Sequence, residues 1–552
     1  MKKTNLLAIL FAVFSLCALT VGCDETDTDP DDPNQEENND DPDDPDDPDT
    51  PDPDGVVRNM TLDLGVKYQT IEGFAASDCW SGNYVGEYWG DTEKEQIAEW
   101  LFSQEVNSTT GSPKGIGLSM WRFNLGAGTA QQSNSGFSNI ENNADSFLND
   151  DGSYDWTRHV GQRYFLDKAK QMGVESFVMF SNSPPVQMTK NGLGYSSGGT
   201  NTNLADDCYD DFAEYIGEVL SHMKTIGFDF SYISPVNEPQ YSWSSAAQEG
   251  TPWQNAEVAA LCREIDNSIT SRGLSTQIMI GEAGQYSYQY GKTVASRGLC
   301  IEDYFNPTSD NYVGDLQSMA SLIAGHGYWE DGNWNELKSG RTSYWEAANA
   351  RGLRTYQTEW SMLGDGYDDA NFVDYADCDY LDIAMYMSQV IHHDMVNANC
   401  SSWSYWTSMA QERWSHKNRF LLITIEPGGS AYGTVTTPGN VYDRKNLWVL
   451  GNYSRFIRPG YQRVELAMEE ETTTFFGSAY VSPEGNQIVA VFTNFTDKLV
   501  NPTFTFENLD REIESVERYV TNSASDLRLK TDYDGLFRVE ANSVTTIVIN
   551  LK

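Results

Sequence analysis

Between Gly73 and about Trp406 the sequence alternates eight times between a short apolar run and a stretch with helical period, and few folds accommodate that rhythm. The candidate strands are residues 73–76, 116–125, 176–181, 230–236, 277–281, 322–326, 355–358 and 401–406. Between them, residues 206–226 put Phe212, Ile216, Val219, Leu220 and Met223 on one helical face. Residues 255–272 do the same with Val258, Leu261, Ile265 and Ile269. Strand and helix in strict alternation predict a parallel sheet covered by helices. Eight such units predict a closed (β/α)8 TIM barrel, an α/β fold that tolerates long insertions between its strands.

Past about Gly451 the texture changes. Runs near 478–481, 487–494, 501–506, 513–520 and 543–549 read as strands, with Pro483-Glu484-Gly485-Asn486 as a hairpin turn and no helical period between them. An appended all-β sandwich domain over 452–552 is expected, with residues 56–72 supplying a strand that joins it and 73–451 forming the barrel.

The N-terminus belongs to neither unit. Lys2 and Lys3 precede an apolar run from Leu6 to Val21 that ends at Gly22-Cys23, which reads as a signal peptide over 1–22. The approach to Cys23 resembles a bacterial lipoprotein cleavage site. That resemblance implies lipidation of Cys23, an outer membrane location facing the cell surface or the periplasm, and membrane contact only through the anchor. More than one acyl chain is needed for firm anchoring. Residues 24–54 hold seventeen acids and no basic residue, with almost nothing apolar to bury. Residues 23–55 are therefore expected to be a disordered acidic linker.

Removing those seventeen acids and the two lysines leaves a net charge of about −30 out of −45. Nucleic acid, whose phosphates demand lysine and arginine, is excluded as a partner. A neutral carbohydrate polymer is compatible, and the 15 Trp and 30 Tyr include rings able to stack on sugar faces. Export permits disulfides among Cys79, Cys208, Cys262, Cys300, Cys378 and Cys400, whose spacing matches no zinc pattern. The expected chain is a monomer without metal or cofactor.

In a barrel of this kind the active site lies at the C-terminal ends of the strands. The fourth strand runs out into Ser234-Pro235-Val236-Asn237-Glu238-Pro239, the fifth into Gly281-Glu282, and the seventh into Gln357-Thr358-Glu359-Trp360. Cleaving a glycosidic bond takes two carboxyl groups on opposite sides of one bond, one protonated and one ionised. Strands four and seven face each other across the mouth, so Glu238 and Glu359 form the expected catalytic pair. Glu282, on the strand beside Glu238, is the rival, and its plainer reading is a polar residue at the rim.

Further motifs converge on a family. Gly73-Phe74 follows Ile71-Glu72. Ser183-Pro184-Pro185-Val186-Gln187-Met188 stands after the third strand. His326-Gly327-Tyr328 stands at the sixth, and Tyr453-Ser454-Arg455-Phe456-Ile457-Arg458-Pro459-Gly460 at the junction with the β domain. Together they resemble glycoside hydrolase family 30 of clan A, from Leu62 to the end of the chain. The resemblance implies a retaining O-glycosyl hydrolase, with Glu238 as acid/base and Glu359 as nucleophile. It also implies that Asn237 bonds the sugar 2-hydroxyl, that Arg122 holds Glu359 ionised, and that His326 and Tyr328 line the site. Trp403 and Trp406 at the eighth strand become candidates for a sugar-stacking floor. Ala75-Ala76 departs from the family's commoner Gly-Gly, which leaves Asp78 and Trp80 as candidate sugar contacts.

Ser181-Asn182-Ser183-Pro184-Pro185, Gln248-Glu249-Gly250 and Cys79-Trp80 resemble the endo-β-1,6-galactanase branch most. The resemblance thus implies β-1,6-galactan side chains of arabinogalactan as substrate, with β-1,6-glucanase or xylanase as alternatives. An exo-acting glycosidase in the same fold stays open, because loop lengths decide between cleft and pocket. A reading of another class, an inactive surface glycan-binding protein, predicts loss of one carboxylate, and both are present.

Overall fold

A computed structural model describes residues 55–364, 367–372, 376–414, 417, 419–469 and 472–552. The signal peptide, Cys23 and nearly all of the acidic linker lie outside the described residues.

Two four-stranded parallel sheets carry the α/β unit. One runs Gly73–Ala76, Cys400–Tyr405, Arg354–Trp360, Leu322–Gly325, and the other Met120–Asn124, Ser176–Phe180, Tyr232–Ser234, Gln277–Ile278. Parallel bridges stitch their edges together on both sides: Ser77 to Arg122 on one, Ile278 to Met319 and Ala283 to Gly325 on the other. The arrangement is TIM-barrel-like. Ala75, Met120, Val178, Tyr232, Met279, Ala320, Leu322, Ala324 and Tyr356 meet in one buried cluster contributed by successive strands. Alternation along each strand sends the neighbouring residues outward to the helices.

The outer helices follow their apolar stripes. In Tyr209–Thr225, Phe212, Ile216, Val219, Leu220 and Met223 are all buried, and Asp210 and Asp211 in the first turn oppose His222 and Lys224 in the last, as the helix dipole favours. Tyr380–Val396 is different. Asp379 and Asp382 close a capping box at its start, and every residue from Ile383 to Met395 is buried. A helix buried on every face needs cover on every side. Here the parallel sheets and their helices cover one side, and strands Phe475–Val481, Gln487–Asn494 and Ser543–Leu551 of the β domain cover another. His392 and His393 lie in that seam against Trp334 and Phe476, where burial holds both neutral and pushes His393 down to about 3.

Helix Lys445–Ser454 crosses the sequence position where strand texture was expected to begin, and the first C-terminal strand starts at Gln462. The β domain is one continuous eight-stranded sheet rather than two separately hydrogen-bonded layers. It curls until Phe504, on an outer strand, lies 6.2 Å from Phe492 near its middle. Strand Val56–Thr70 pairs parallel to Val500–Glu507 and antiparallel to Gln462–Met468, so the start of the described chain is built into that sheet. Cys79, Cys208, Cys262, Cys300 and Cys400 are thiols and not disulfide halves.

Candidate active site

Three carboxylates, one guanidinium and one imidazole meet at the C-terminal mouth of the strands. Arg122 is on the second strand, where alternation points Met120 and Arg122 inward and Trp121 and Phe123 outward. Its Nη1 lies 2.6 Å from Glu359 Oε2, and its Nη2 donates to Asn237 Oδ1 at 3.3 Å. The guanidinium also lies over the Phe180 ring at 3.7 Å, a cation–π contact that helps to hold it in place. Tyr328 donates its hydroxyl to Glu359 Oε1 at 3.1 Å. Both oxygens of Glu359 are thereby engaged by donors, one of them a fixed cation.

Glu238 has the opposite environment. It is 7 % exposed, and burial raises its pKa against the pull of His326, with the charge on Glu359 adding to the rise. One oxygen of Glu238, one of Glu359 and a ring nitrogen of His326 lie within 4.8 Å of one another. Both Glu238 and Glu282 have left-handed backbones, at φ 43° and 40°, and the Glu238 N–H donates to the Glu282 carbonyl at 2.9 Å. Strained residues of this kind gather at functional sites where the surroundings over-determine them. Gly284 stands where any Cβ would come within 3.0 Å of Glu238 Oε1 and 2.8 Å of the Tyr241 ring, so only glycine leaves the carboxyl its place.

Glu282 is not at the rim. It is fully buried beneath the pair and accepts from Ser234 at 2.9 Å, from Thr358 at 2.6 Å and from His326 Nε2 at 2.9 Å. Burial opposes its ionisation, but Arg122 and His326 outweigh burial and bring it down to about 2. His326 Nδ1 lies 2.9 Å from Glu238 Oε1. Burial disfavours the charged ring too, yet Glu359, Glu238 and Glu282 raise it to about 10. An imidazolium donating from both nitrogens has no lone pair for a metal ion.

Two of the expected sugar contacts turn away from the mouth. Trp403 is fully buried on the outward side of the eighth strand, where its Nε1 donates to Asp394 of helix Tyr380–Val396 at 2.9 Å. Alternation sends Trp403 and Tyr405 to the helices, and a sequence window of two Trp residues does not show which one points in. Asp78 is also closed off. Its Oδ1 accepts the Asn124 N–H and its Oδ2 the Gln162 amide, each at 3.0 Å, and it is 1 % exposed. Trp406 and Trp80 do remain partly open, edge to face at 5.9 Å.

A second aromatic wall is not evident from the sequence motifs. Trp329 is 36 % exposed and packs on Tyr328 and Tyr241, each at 5.7 Å, and Tyr241 in turn packs on Trp243. Its position directly after Tyr328 is the one sequence signal that could find it. Behind Glu359, Trp360 Nε1 at the end of the seventh strand donates to buried Asp331 in the loop after the sixth at 2.9 Å, a contact with no local sequence signature.

Asp78 predicts a pH effect on stability. Burial, only partly offset by Gln162, Asn124 and Arg122, pushes its carboxyl up to about 7, whereas the unfolded group titrates near 3.9. A raised folded pKa gives stability that is fully present below about pH 4 and is lost as pH rises towards 7, at up to about 1.4 kcal/mol per unit. Asp78→Asn is therefore expected to gain in melting temperature relative to the native chain as pH rises from 4 to 7. A difference that stays constant across that window in paired thermal melts would contradict this.

Comparison with known proteins places these features in context. A family model described as "O-Glycosyl hydrolase family 30" matches residues 57–418. An endo-beta-1,6-galactanase of Hypocrea rufa is 23% identical over 79% of this chain and 80% of its own. A glucuronoxylanase of Bacillus subtilis is 24% identical over 77% of this chain and 86% of its own. Among solved structures, a conserved exported protein from Bacteroides fragilis superposes with a TM-score of 0.82 at 27% identity, covering 89% of this chain and 99% of that one.

Proposed function

Because the chain belongs to O-glycosyl hydrolase family 30 and is an O-glycosyl hydrolase, we propose that it cleaves β-1,6-linked galactan within the chain, with retention of anomeric configuration, in a closed (β/α)8 barrel. The observation that carries the retaining mechanism is the approach of Glu238 and Glu359 oxygens to within 4.8 Å. Retaining enzymes hold their carboxyls about 5–5.5 Å apart, whereas inverting enzymes leave about 6.5–9.5 Å for a water.

The roles follow from the environments. Glu359, paired with Arg122, attacks the anomeric carbon through a carboxylate oxygen. The bond from that carbon to the leaving oxygen breaks, and the leaving oxygen takes the proton of Glu238. The ester removes the charge of Glu359, so Glu238 ionises more readily and draws a proton from the water that attacks next. Arg122 occupies Asn237 Oδ1, which leaves the Asn237 amide N–H groups for a sugar 2-hydroxyl. Trp406 and Trp80 stand on the nucleophile side as stacking surfaces, and Trp329 with Tyr241 on the acid/base side.

The galactan reading is supported by similarity to the Hypocrea rufa enzyme and by the Gln248-Glu249-Gly250 motif. Glu249 is fully buried and accepts from Ala127 N and Thr129 Oγ1 at 2.9 and 2.5 Å, tying the loop after the fourth strand to the loop after the second. A motif that shapes the cleft wall bears on which polymer fits. Residues 56–552 are expected to release a ladder of galacto-oligosaccharides from arabinofuranosidase-trimmed arabinogalactan, and nothing from β-1,6-glucan or glucuronoxylan. Products from glucan or xylan alone, separated by chromatography, would transfer the mechanism to the other polymer. Release of monosaccharide alone would make the mode exo.

A further inference from the structure

We propose that Glu282 is a positioning residue: a fixed buried counter-charge that holds His326 donating from both ring nitrogens and offsets the pull of that cation, so that Glu238 keeps its proton between turnovers. The inference rests on the acid/base reading of Glu238 and deepens it.

The contacts leave little choice of arrangement. Glu282 accepts from Ser234 and Thr358 and has no exposed surface, so its carboxylate cannot turn away from His326. His326 Nε2 is therefore a donor, at 2.9 Å. With Nδ1 also donating, to Glu238 Oε1 at 2.9 Å, the imidazolium lies between two carboxyl groups. Arg122 Nη2 lies 3.8 Å from Glu282 and its Nη1 2.6 Å from Glu359. When Glu238 is protonated, two cations, Arg122 and His326, balance two anions, Glu359 and Glu282. The other titratable groups nearby are Tyr241 and Tyr328 beside the pair, Tyr344 behind Glu282, and Asp78 and Cys79 beyond Arg122. Burial keeps the tyrosines and the thiol neutral, and Asp78 mostly protonated below pH 7.

That balance changes during turnover. Once Glu359 is esterified, Arg122 and His326 face Glu282 alone, the cluster carries one excess positive charge, and ionising Glu238 restores neutrality. Glu282 thus sets the starting charge from which Glu238 serves as acid in one half-reaction and as base in the other.

Glu238 and His326 are in contact at 2.9 Å, so their protons interact and the basic limb of kcat/KM reports loss of one proton from the pair. Glu282→Gln removes an anion from beside it and is expected to move that limb down by at least about one pH unit. His326→Gln removes a cation and should move the limb up. The double variant Glu282→Gln/His326→Gln removes both charges together, and its limb should return to within about half a unit of the native one. It avoids leaving a lone buried cation, so it also serves if the single variant does not fold. Activity lost by one factor at every pH, with the limb of Glu282→Gln unmoved, would reduce Glu282 to a structural prop and overturn the proposal. So would limbs that coincide in His326→Gln and the double variant. A Glu238→Ala profile that keeps the basic limb would overturn the acid/base assignment and this proposal with it, whereas the first two results overturn only the role of Glu282.

Discussion

Glu359→Ala should lose at least about 10⁴-fold in kcat/KM, roughly 5.5 kcal/mol of transition-state stabilisation, and regain turnover when azide is added. The size follows from covalent catalysis, since without the carboxylate no ester forms and the remaining groups only bind and protonate. Azide is small enough for the space that the lost side chain leaves, beside Arg122, whose Nη1 contacts Glu359 at 2.6 Å in the intact site. It would attack the face that Glu359 attacks, so the glycosyl azide should have the anomeric configuration opposite to the substrate. That product separates Glu359 from Glu282. Glu282 is fully buried under His326 and Thr358 with no path to a sugar, and Glu282→Ala should give no azide adduct. An azide product from Glu282→Ala and none from Glu359→Ala, read by proton NMR of the anomeric centre, would reverse the assignment. Arg122 is left without its partner in Glu359→Ala, so Glu359→Gln is the companion variant for judging stability.

Glu238→Ala should divide substrates by their leaving groups. On polysaccharide, whose sugar alkoxide needs a proton to depart, the expected loss is about 10²–10⁴-fold. On an aryl β-glycoside with an acidic phenol the first step needs no acid, so a burst of phenol should precede slow hydrolysis of the glycosyl–enzyme. Azide should speed the second step and give a product of retained configuration, the mirror of the Glu359→Ala result. The basic limb of the pH–rate profile should disappear, because burial raises the pKa of Glu238 and no other carboxyl takes its place as acid. Equal losses on both substrates, or a basic limb that persists, would show that another group protonates the leaving oxygen. The two variants together test the division of labour that Arg122 on one side and His326 on the other impose on chemically identical side chains.

Much of this site is legible before any folding, and the reason is periodicity. Strand–helix alternation puts Arg122, Asn237, Glu238, His326 and Glu359 at strand ends, and strand ends in such a barrel converge on one mouth. The structure brings all five together. Legibility fails where one-residue parity or a partner from a distant loop decides. Trp403 and Trp406 stand three residues apart, and only the register of the eighth strand sends the first outward to Asp394 and leaves the second half-open. Asp78 resembles a sugar contact until Asn124 and Gln162 occupy both its oxygens. Likewise, strands after Gln462 are plain from their alternation, but whether they form one curled sheet or two layers depends on pairing between segments far apart in the chain.

The amino-acid sequence by itself determined that a parallel α/β unit precedes an all-β one and that Glu238 and Glu359 end opposing strands, because side-chain period and strand termini are local properties of the chain. Only the tertiary structure decided which carboxylate sits beneath the others and which tryptophan stays partly open. Those outcomes depend on burial and on strand register, and no residue carries either quantity until the strands have assembled around it.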